Sequence, residues 1–344
     1  MSKRLASLVF WVAVVGATGG GAVQAQSADE LQAVRILPMH LEERASVAPV
    51  LTAAVLSPDG QSIATGGDDH IVRIWKLADG DLVHALRGHS DWVRTAAFHP
   101  AGDLLATAGD DRRIIYWNVA DGRQLRTLPG PSQVIYCLAY SRDGKLLAAA
   151  GFEDKVRLYD GRGGELVREL TGPCRDIRSV AISSDNKMLA AGGRDGRIRI
   201  WDLSNGAVLR DIAAHRQRIR AIAFSPDSTR LASGGEDRFL KVWDARSGAE
   251  LHSLPSRSGK IQTLVFLAPQ RLATGASDNT IRIWNLEANQ EDFKLVGHTG
   301  SVSALDFHGS SGLLISASYD TSVRIWNPNL GGKVANQEAR PATR

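Results

Sequence analysis

Reactive and metal-binding patterns are scarce in this chain of 344 residues. Its two cysteines, Cys137 and Cys174, form no Cys-x-x-Cys pair, and no Cys-x-x-Cys-His sequence is present for covalent haem. Its nine histidines show no His-x-x-x-His spacing, and there is no Gly-x-Ser-x-Gly turn for a nucleophilic serine. We therefore predict a protein that is not an enzyme, with no catalytic residues, no cofactor and no metal site.

Long apolar runs are also few, and the one near the N-terminus bears on where the protein is located. Lys3 and Arg4 precede an apolar run over 5–17, and small residues follow up to Ala25. This layout is typical of a secretory signal peptide over 1–25, cleaved after Ala25. The alternative is an uncleaved membrane anchor, but Gly16 and other glycines interrupt the run. We expect a bacterial exported protein, periplasmic or secreted, with no stable membrane insertion after cleavage.

Strong net charge is missing as well. The formal charge is +4, and cleavage would leave +2 because it removes Lys3 and Arg4. A chain this close to neutrality has no general affinity for nucleic acid, so we expect no nucleic-acid partner.

Aromatic residues instead mark a regular repeat. Six tryptophans and one tyrosine recur at intervals of 42, 42, 42, 42, 41 and 42 residues, at Trp75, Trp117, Tyr159, Trp201, Trp243, Trp284 and Trp326. Around each aromatic residue, short runs rich in strand-forming residues alternate with turns such as Ser57-Pro-Asp-Gly60. The pattern gives four strands per unit and seven units, and therefore an all-β repeat protein.

These units resemble the WD40-repeat family. Gly88-His89 and Gly297-His298 match the Gly-His opening of a WD40 unit, and Trp201-Asp202 and Trp243-Asp244 match its Trp-Asp close. The resemblance implies a seven-bladed β-propeller of four-stranded antiparallel blades over 45–327, most simply a monomer. It also implies that residues 26–44 include a strand that closes the ring in the last blade, and that 328–344 form a polar C-terminal tail. Because adjacent blades diverge, Cys137 and Cys174 are expected to be free thiols.

The family resemblance also implies hydrogen-bonded tetrads of His, Ser/Thr, Asp and Trp within the blades. Three units have complete sets, at His89, Thr107, Asp111, Trp117; His215, Ser233, Asp237, Trp243; and His298, Ser316, Asp320, Trp326. The third and fourth units depart most from the pattern, with Ala149 and Ala191 at the hydroxyl position. We expect these two blades to be locally less stable. Acid pairs such as Asp110-Asp111 fall at one turn position of the repeat, which favours a structural role over catalysis.

The upper mouth of the channel is where partners of this family usually dock. Transferring the family's contact positions gives arginines, a lysine and aromatic residues, the types enriched at interface anchors. The candidate partner-binding residues are Trp92, Arg94, Tyr136, Phe152, Arg178, Arg194, Arg218, Arg220, Lys260 and Tyr319. They suit a protein or peptide with acidic and apolar anchors. The alternative for the same residues is solvated charge and blade packing.

Three functions are compatible with these observations. The first, and the one we favour, is a non-catalytic scaffold that binds a protein or peptide. The second is a binding protein or sensor for a small anionic ligand, such as a sugar acid, at the channel mouth. The third is a propeller enzyme or cofactor partner, which would need converging carboxylates, histidines or a haem motif at the mouth.

Overall fold

The computed structural model describes residues 30–31, 33, 35–37, 48–128 and 131–328. Within those residues every helix or strand assigned is a β-strand. No helix in these ranges is long and apolar enough to cross a membrane. The proposed signal peptide over 1–25, the greater part of 26–44 and the tail from 329 to 344 lie outside the described residues.

Seven blades follow one another along the chain, and we number the strands in chain order. Two short strands come first, β1 (Glu30–Leu31) and β2 (Arg35–Leu37). Blade one contains β3 (Leu51–Leu56), β4 (Ser62–Gly67), β5 (Ile71–Lys76) and β6 (Leu82–Arg87). Blade two contains β7 (Val93–Phe98), β8 (Leu104–Gly109), β9 (Ile114–Asn118) and β10 (Gln124–Leu128). Blade three contains β11 (Ile135–Tyr140), β12 (Leu146–Gly151), β13 (Lys155–Asp160) and β14 (Leu166–Thr171).

The remaining blades repeat this order. Blade four contains β15 (Ile177–Ile182), β16 (Met188–Gly193), β17 (Arg197–Asp202) and β18 (Val208–Ala213). Blade five contains β19 (Ile219–Phe224), β20 (Arg230–Gly235), β21 (Phe239–Asp244) and β22 (Glu250–Pro255). Blade six contains β23 (Ile261–Ala268), β24 (Arg271–Ala276), β25 (Ile281–Asn285) and β26 (Gln290–Leu295). Blade seven contains β27 (Val302–His308), β28 (Leu313–Ser318) and β29 (Val323–Trp326). The fold is therefore the seven-bladed, all-β propeller that the repeat predicts.

Small and aliphatic residues fill the space between blades. The second strand of a blade is covered on both faces, and all six residues of β8 are buried. Seven apolar clusters result, and most combine residues from two neighbouring blades. The alanines and glycines of these strands let neighbouring sheets pack closely, as a repeat protein requires.

The N-terminal segment supplies the fourth strand of blade seven. Strand β2 pairs antiparallel with β29, with Leu37 opposite Val323. Arg35 then reaches from blade seven to blade one, where its Nη1 donates to the carbonyl oxygen of Leu77 at 3.1 Å. Strand β1 adds in parallel to the outer edge of blade six. One short segment thus connects the end of the repeat array to its beginning.

The outer strands also clasp their neighbours. A side chain at one repeated position of the outer strand hydrogen bonds to the turn between the third and fourth strands of the next blade. His84 contacts the Ala120 oxygen at 3.2 Å, and Arg168 donates to the Leu203 oxygen at 3.3 Å. The same contact is made by Arg126, Arg210, His252 and Arg35. These clasps add polar contacts between blades to the apolar packing.

The tetrad of blade two forms a continuous chain of hydrogen bonds. Trp117 Nε1 lies 2.7 Å from Thr107 Oγ1, which lies 2.8 Å from His89 Nε2, and His89 Nδ1 lies 2.8 Å from an Asp111 oxygen. Indole N–H can only donate and carboxylate can only accept, so the neutral histidine bears its proton on Nδ1 and the threonine donates to Nε2. Equivalent chains join His215, Ser233, Asp237 and Trp243 in blade five, and His298, Ser316, Asp320 and Trp326 in blade seven.

Three of the four blades without the histidine use an arginine instead. Arg73 contacts Asp69 in blade one at 2.6 Å, and Arg157 contacts Glu153 in blade three at 2.6 Å. In blade six the buried Arg282 contacts Asp278 at 2.5 Å. Each arginine lies two residues before the repeat aromatic, so a cation from the third strand replaces the imidazole as partner of the turn carboxylate. The lower stability expected for blades three and four stays a prediction.

Both cysteines are free and buried. Burial raises the pKa of the Cys137 thiol to about 12. A thiol with so little thiolate is a poor nucleophile, which fits a packing role.

Candidate functional site

A cavity of about 170 Å³ lies at the upper mouth of the channel. Its wall takes one residue from the start of the innermost strand in each blade, at repeat spacing. These seven residues are Thr52, Arg94, Tyr136, Arg178, Arg220, Gln262 and Ser303, and Tyr319 joins them from a neighbouring turn. Side chains alternate between the two faces of a strand, so the residue at this one position faces the cavity in every blade. The fold thus presents a ring of side chains that the blades hold in place.

Three arginines of this ring are held in the same way. Arg94 Nε donates to Asp110 at 2.8 Å, Arg178 Nε to Asp176 at 2.6 Å, and Arg220 Nε to Glu236 at 2.9 Å. In each case Nη2 donates to the same carboxylate. The third nitrogen, Nη1, has no hydrogen bond to any residue in the described ranges. The carboxylates therefore fix three guanidinium groups and leave one NH₂ of each available to a ligand.

Electrostatics favour the charged forms of Glu236 and Arg94. Burial raises the pKa of Glu236, but hydrogen bonds and charges from Arg220 and Arg218 outweigh it, so the pKa lies below its usual range. Burial alone would lower the pKa of Arg94, yet the contact with Asp110 moves it above its ordinary value. The arginines of the mouth thus bring little net charge, and they offer directed donors more than a positive field.

Aromatic rings support two of the guanidinium groups. Arg178 Cζ lies 3.7 Å from the centroid of the Tyr136 ring, and Arg94 Cζ lies 4.4 Å from the Trp92 ring. Such stacking adds attraction and restricts rotation of the side chain. Tyr319 stacks on no cation among the residues that the structure describes, and it is 51% exposed, so its ring can meet a partner.

The structure brings together five of the ten candidate binding residues. Arg94, Tyr136, Arg178, Arg220 and Tyr319 line the mouth cavity. Trp92 packs beneath Arg94 as described above. Arg218 bridges the carboxylates of Asp176 and Glu236, at 3.2 Å from each, and so braces the ring from outside.

The other three candidates lie away from the cavity. Phe152 is 47% exposed beside a separate cavity of blade three, which it shares with Arg175. Arg194 and Lys260 are exposed on the upper surface, and Lys260 Nζ is 3.9 Å from Glu236. The sequence therefore located the ring but did not separate its inner members from the outer surface.

Two residues of the upper face are missing from the candidates predicted from the sequence. Asp110 was assigned a structural role in a turn and was not among the candidate binding residues, but it holds Arg94. Phe239, 38% exposed beside a cavity of about 370 Å³, was not considered. Asp110 could have been found from its repeat position, because it directly precedes the tetrad aspartate of its blade, as Glu236 does. For Phe239 the signal was a large aromatic at a repeat position held by Arg113 and Arg197 in other blades.

The chemistry available at the mouth is hydrogen-bond donation. Its carboxylates are engaged by arginines, which leaves none poised to accept a proton from a substrate. In the part of the chain that the structure describes, no group of three or more His, Cys, Asp or Glu residues could hold a metal ion. The arrangement suits recognition of carbonyl or carboxylate oxygens.

Comparison with known proteins agrees with this architecture. A family model described as WD domain, G-beta repeat matches residues 34–76 and 80–118. A second model, a β-propeller family described as Nucleolar protein 10-like, N-terminal domain, matches residues 131–333, which is more than half of the chain.

Individual relatives match over short stretches. A probable serine/threonine-protein kinase, PkwA, from Thermomonospora curvata is 39% identical over 71 residues, which are 20% of this chain and 8% of that protein. The nuclear distribution protein PAC1 from Gibberella zeae is 37% identical over 68 residues, 20% of this chain and 15% of its own length. Each match spans far less than two thirds of the relative. From its repeats, its propeller and these matches, the chain belongs to the WD-repeat β-propellers, in the family described as Nucleolar protein 10-like, N-terminal domain.

Proposed function

We propose that this propeller is a non-catalytic scaffold that binds a protein or peptide at the channel mouth. WD-repeat propellers are generally platforms for protein interaction, and this chain shares their fold. The observation that supports a site at the mouth is the set of three fixed guanidinium groups, each with a free Nη1, around one cavity. Donors held in place before binding cost less entropy to engage than flexible ones.

The size of the cavity favours a peptide anchor over a large ligand. Pockets for drug-sized molecules usually measure about 300–1,000 Å³. The mouth cavity, at about 170 Å³, has room for one side chain or a comparably small group. A carboxylate or amide side chain of a partner would meet the Nη1 groups, while the Tyr319 ring would cover its apolar neighbours.

The test is partner recovery with a variant that keeps charge but removes the free donors. In the triple variant Arg94→Lys, Arg178→Lys and Arg220→Lys, an ammonium can still pair with each carboxylate but lacks the planar fork. We expect crosslinking in a native extract to recover a specific protein with the wild type and to lose it with the lysine variant.

A matched control changes charge on the opposite face. Arg123, Lys145 and Arg246 are exposed at turns on the lower end of the propeller. The lower-face control variant, with Gln at these three positions, should recover the partner as the wild type does. Equal recovery by the lysine variant, with an unchanged melting temperature, would contradict a site at the mouth.

A small anionic ligand is a second candidate because the three donors converge on a volume that a small carboxylate would fill. Binding to the folded state alone would raise the melting temperature as the ligand concentration rises. Thermal stabilisation by a sugar acid such as glucuronate, lost in the lysine variant, would favour this function. The same stabilisation in the lysine variant would exclude the mouth as its site.

Export is part of the proposal and rests on the sequence of 1–25. We propose a periplasmic or secreted protein whose mature chain begins at Gln26. Mass spectrometry of the protein from its native source should find that N-terminus, in the exported fraction. An intact N-terminus starting at residue 1 or 2, in the cytoplasmic fraction, would contradict the proposal.

A further inference from the structure

The outer rim of the upper face has a second charged surface, separate from the mouth. Among the exposed arginines of blades four to six, four that follow one another along this rim have side chains without a hydrogen bond or ion pair to any residue that the structure describes. We call them the rim arc: Arg194, Arg216, Arg238 and Arg257. The arginines of the mouth, in contrast, are paired with carboxylates.

Backbone contacts place the members of the rim arc side by side. The turn after Arg194 packs on the next blade, where the Gly196 oxygen accepts from His215 N at 2.8 Å, directly before Arg216. A Cβ on Gly196 would lie 2.1 Å from the His215 oxygen, so this close approach needs glycine. Farther along, Arg238 O accepts from Ser256 N at 2.7 Å, directly before Arg257. Turns and entry loops of adjacent blades thus alternate along one rim.

A cavity of about 370 Å³ lies in the middle of the arc. Arg216, Arg238 and the exposed ring of Phe239 line it. Glu236 and Asp237 also line it; Glu236 pairs with Arg220, whereas Asp237 hydrogen bonds to His215 and keeps its negative charge. Lys241 pairs with Glu250 at 2.8 Å.

The two unpaired guanidinium groups therefore outnumber the one carboxylate that lacks a cationic partner, so the net unpaired charge at this cavity is positive, next to an apolar ring. One exposed acid, Asp195, interrupts the arc beside Arg194.

We propose that the rim arc and its cavity bind an acidic segment of a partner protein, with one apolar side chain on Phe239. Carboxylates of the segment would complement four guanidinium groups that lack carboxylates of their own. A single-stranded nucleic acid fits less well, because it needs successive aromatic platforms for its bases and the arc presents one aromatic ring. The proposal does not depend on a site at the mouth.

The experiment measures fluorescence anisotropy of a labelled acidic probe, a nine-residue peptide with Asp and Glu on both sides of a central Leu. Its control peptide has Asn and Gln in place of every Asp and Glu. The rim variant is Arg216→Gln, Arg238→Asn and Arg257→Gln. Asn is chosen at position 238 because φ there is 65°, a conformation that Asn tolerates. These side chains are exposed, so the melting temperature should not change.

We expect the wild type to bind the acidic probe, with affinity that falls as salt rises, and not its amide control. The rim variant should bind roughly tenfold more weakly, as expected for the loss of three exposed charge contacts. The lower-face control variant and the mouth lysine variant should bind like the wild type.

Several results would overturn the proposal. These are no binding of the acidic probe by the wild type, equal binding of the amide control, or unchanged affinity in the rim variant. Loss of binding in the mouth lysine variant alone would move the acidic segment to the mouth. Tighter binding of a single-stranded oligonucleotide than of the acidic probe would replace the protein partner with a nucleic acid.

Discussion

Removal of the hydroxyl from Thr107 should destabilise the propeller by an amount that the tetrad geometry predicts. Thr107 is fully buried and accepts from Trp117 Nε1 at 2.7 Å while it donates to His89 Nε2 at 2.8 Å. Thr107→Val keeps the shape of the side chain but leaves the indole N–H without an acceptor and the imidazole without a donor. Each such buried group costs about 1–3 kcal/mol, so we expect a loss of about 2–6 kcal/mol.

Urea unfolding, followed by tryptophan fluorescence and circular dichroism, measures this loss. Thr107→Ser is the matched control, because it keeps the hydroxyl that blades five and seven use at Ser233 and Ser316. For a domain of roughly 300 residues, the expected loss corresponds to a fall in melting temperature of about 3–10 °C. If Thr107→Val differs from Thr107→Ser by less than about 0.5 kcal/mol, the hydroxyl does not stabilise the blade as argued here.

Three further predictions concern stability. Ala191→Ser in blade four should stabilise the fold by about 1 kcal/mol in urea unfolding, because the new hydroxyl offers the buried Trp201 indole the acceptor that Ser233 gives Trp243. A loss of stability would contradict the expectation that blade four shares the tetrad geometry of blade five. Burial raises the pKa of Asp111 and Asp320, but hydrogen bonds, including those from His89 and His298, outweigh it and lower the pKa of each carboxyl to about 2. The stability that the two carboxylates contribute should be complete above about pH 4 and fall as the pH drops towards 2. A midpoint of urea unfolding that stays constant over this range would be contrary evidence. Leu37→Ala in the closing strand should cost about 2–4 kcal/mol because Leu37 is 3% exposed, whereas the adjacent Ile36→Ala, 51% exposed, should change little; equal effects would argue against closure by this strand.

The fold could be predicted from the sequence because the repeat supplies its own alignment. Seven aromatic residues in phase establish the number of blades, and the turns between them establish the four strands. The tetrads followed from residue type at fixed offsets. The arginine that replaces the tetrad histidine in blades one, three and six was not predicted, because only the structure shows that the Arg282 guanidinium reaches Asp278.

The site was less predictable than the fold. Register along the repeat brought Arg94, Tyr136 and Arg178 to the mouth correctly, since one inner strand per blade contributes to the ring. The pairing of arginines with carboxylates could not be predicted from the sequence, because Asp110 looks the same in sequence whether it caps a turn or holds Arg94. The sequence placed arginines and a lysine at the mouth, whereas the arginines that line the mouth cavity are paired with carboxylates and the unpaired arginines lie on the outer rim.

The most direct test of a binding site at the mouth is a comparison of affinity and stability in Tyr319→Ala. Tyr319 is half exposed, so its loss should change the free energy of unfolding by less than about 0.5 kcal/mol. Titration of the partner recovered by crosslinking should show an affinity about thirtyfold lower than that of the wild type, as expected for an aromatic anchor. Unchanged affinity in a variant of unchanged stability would contradict the mouth as the binding surface.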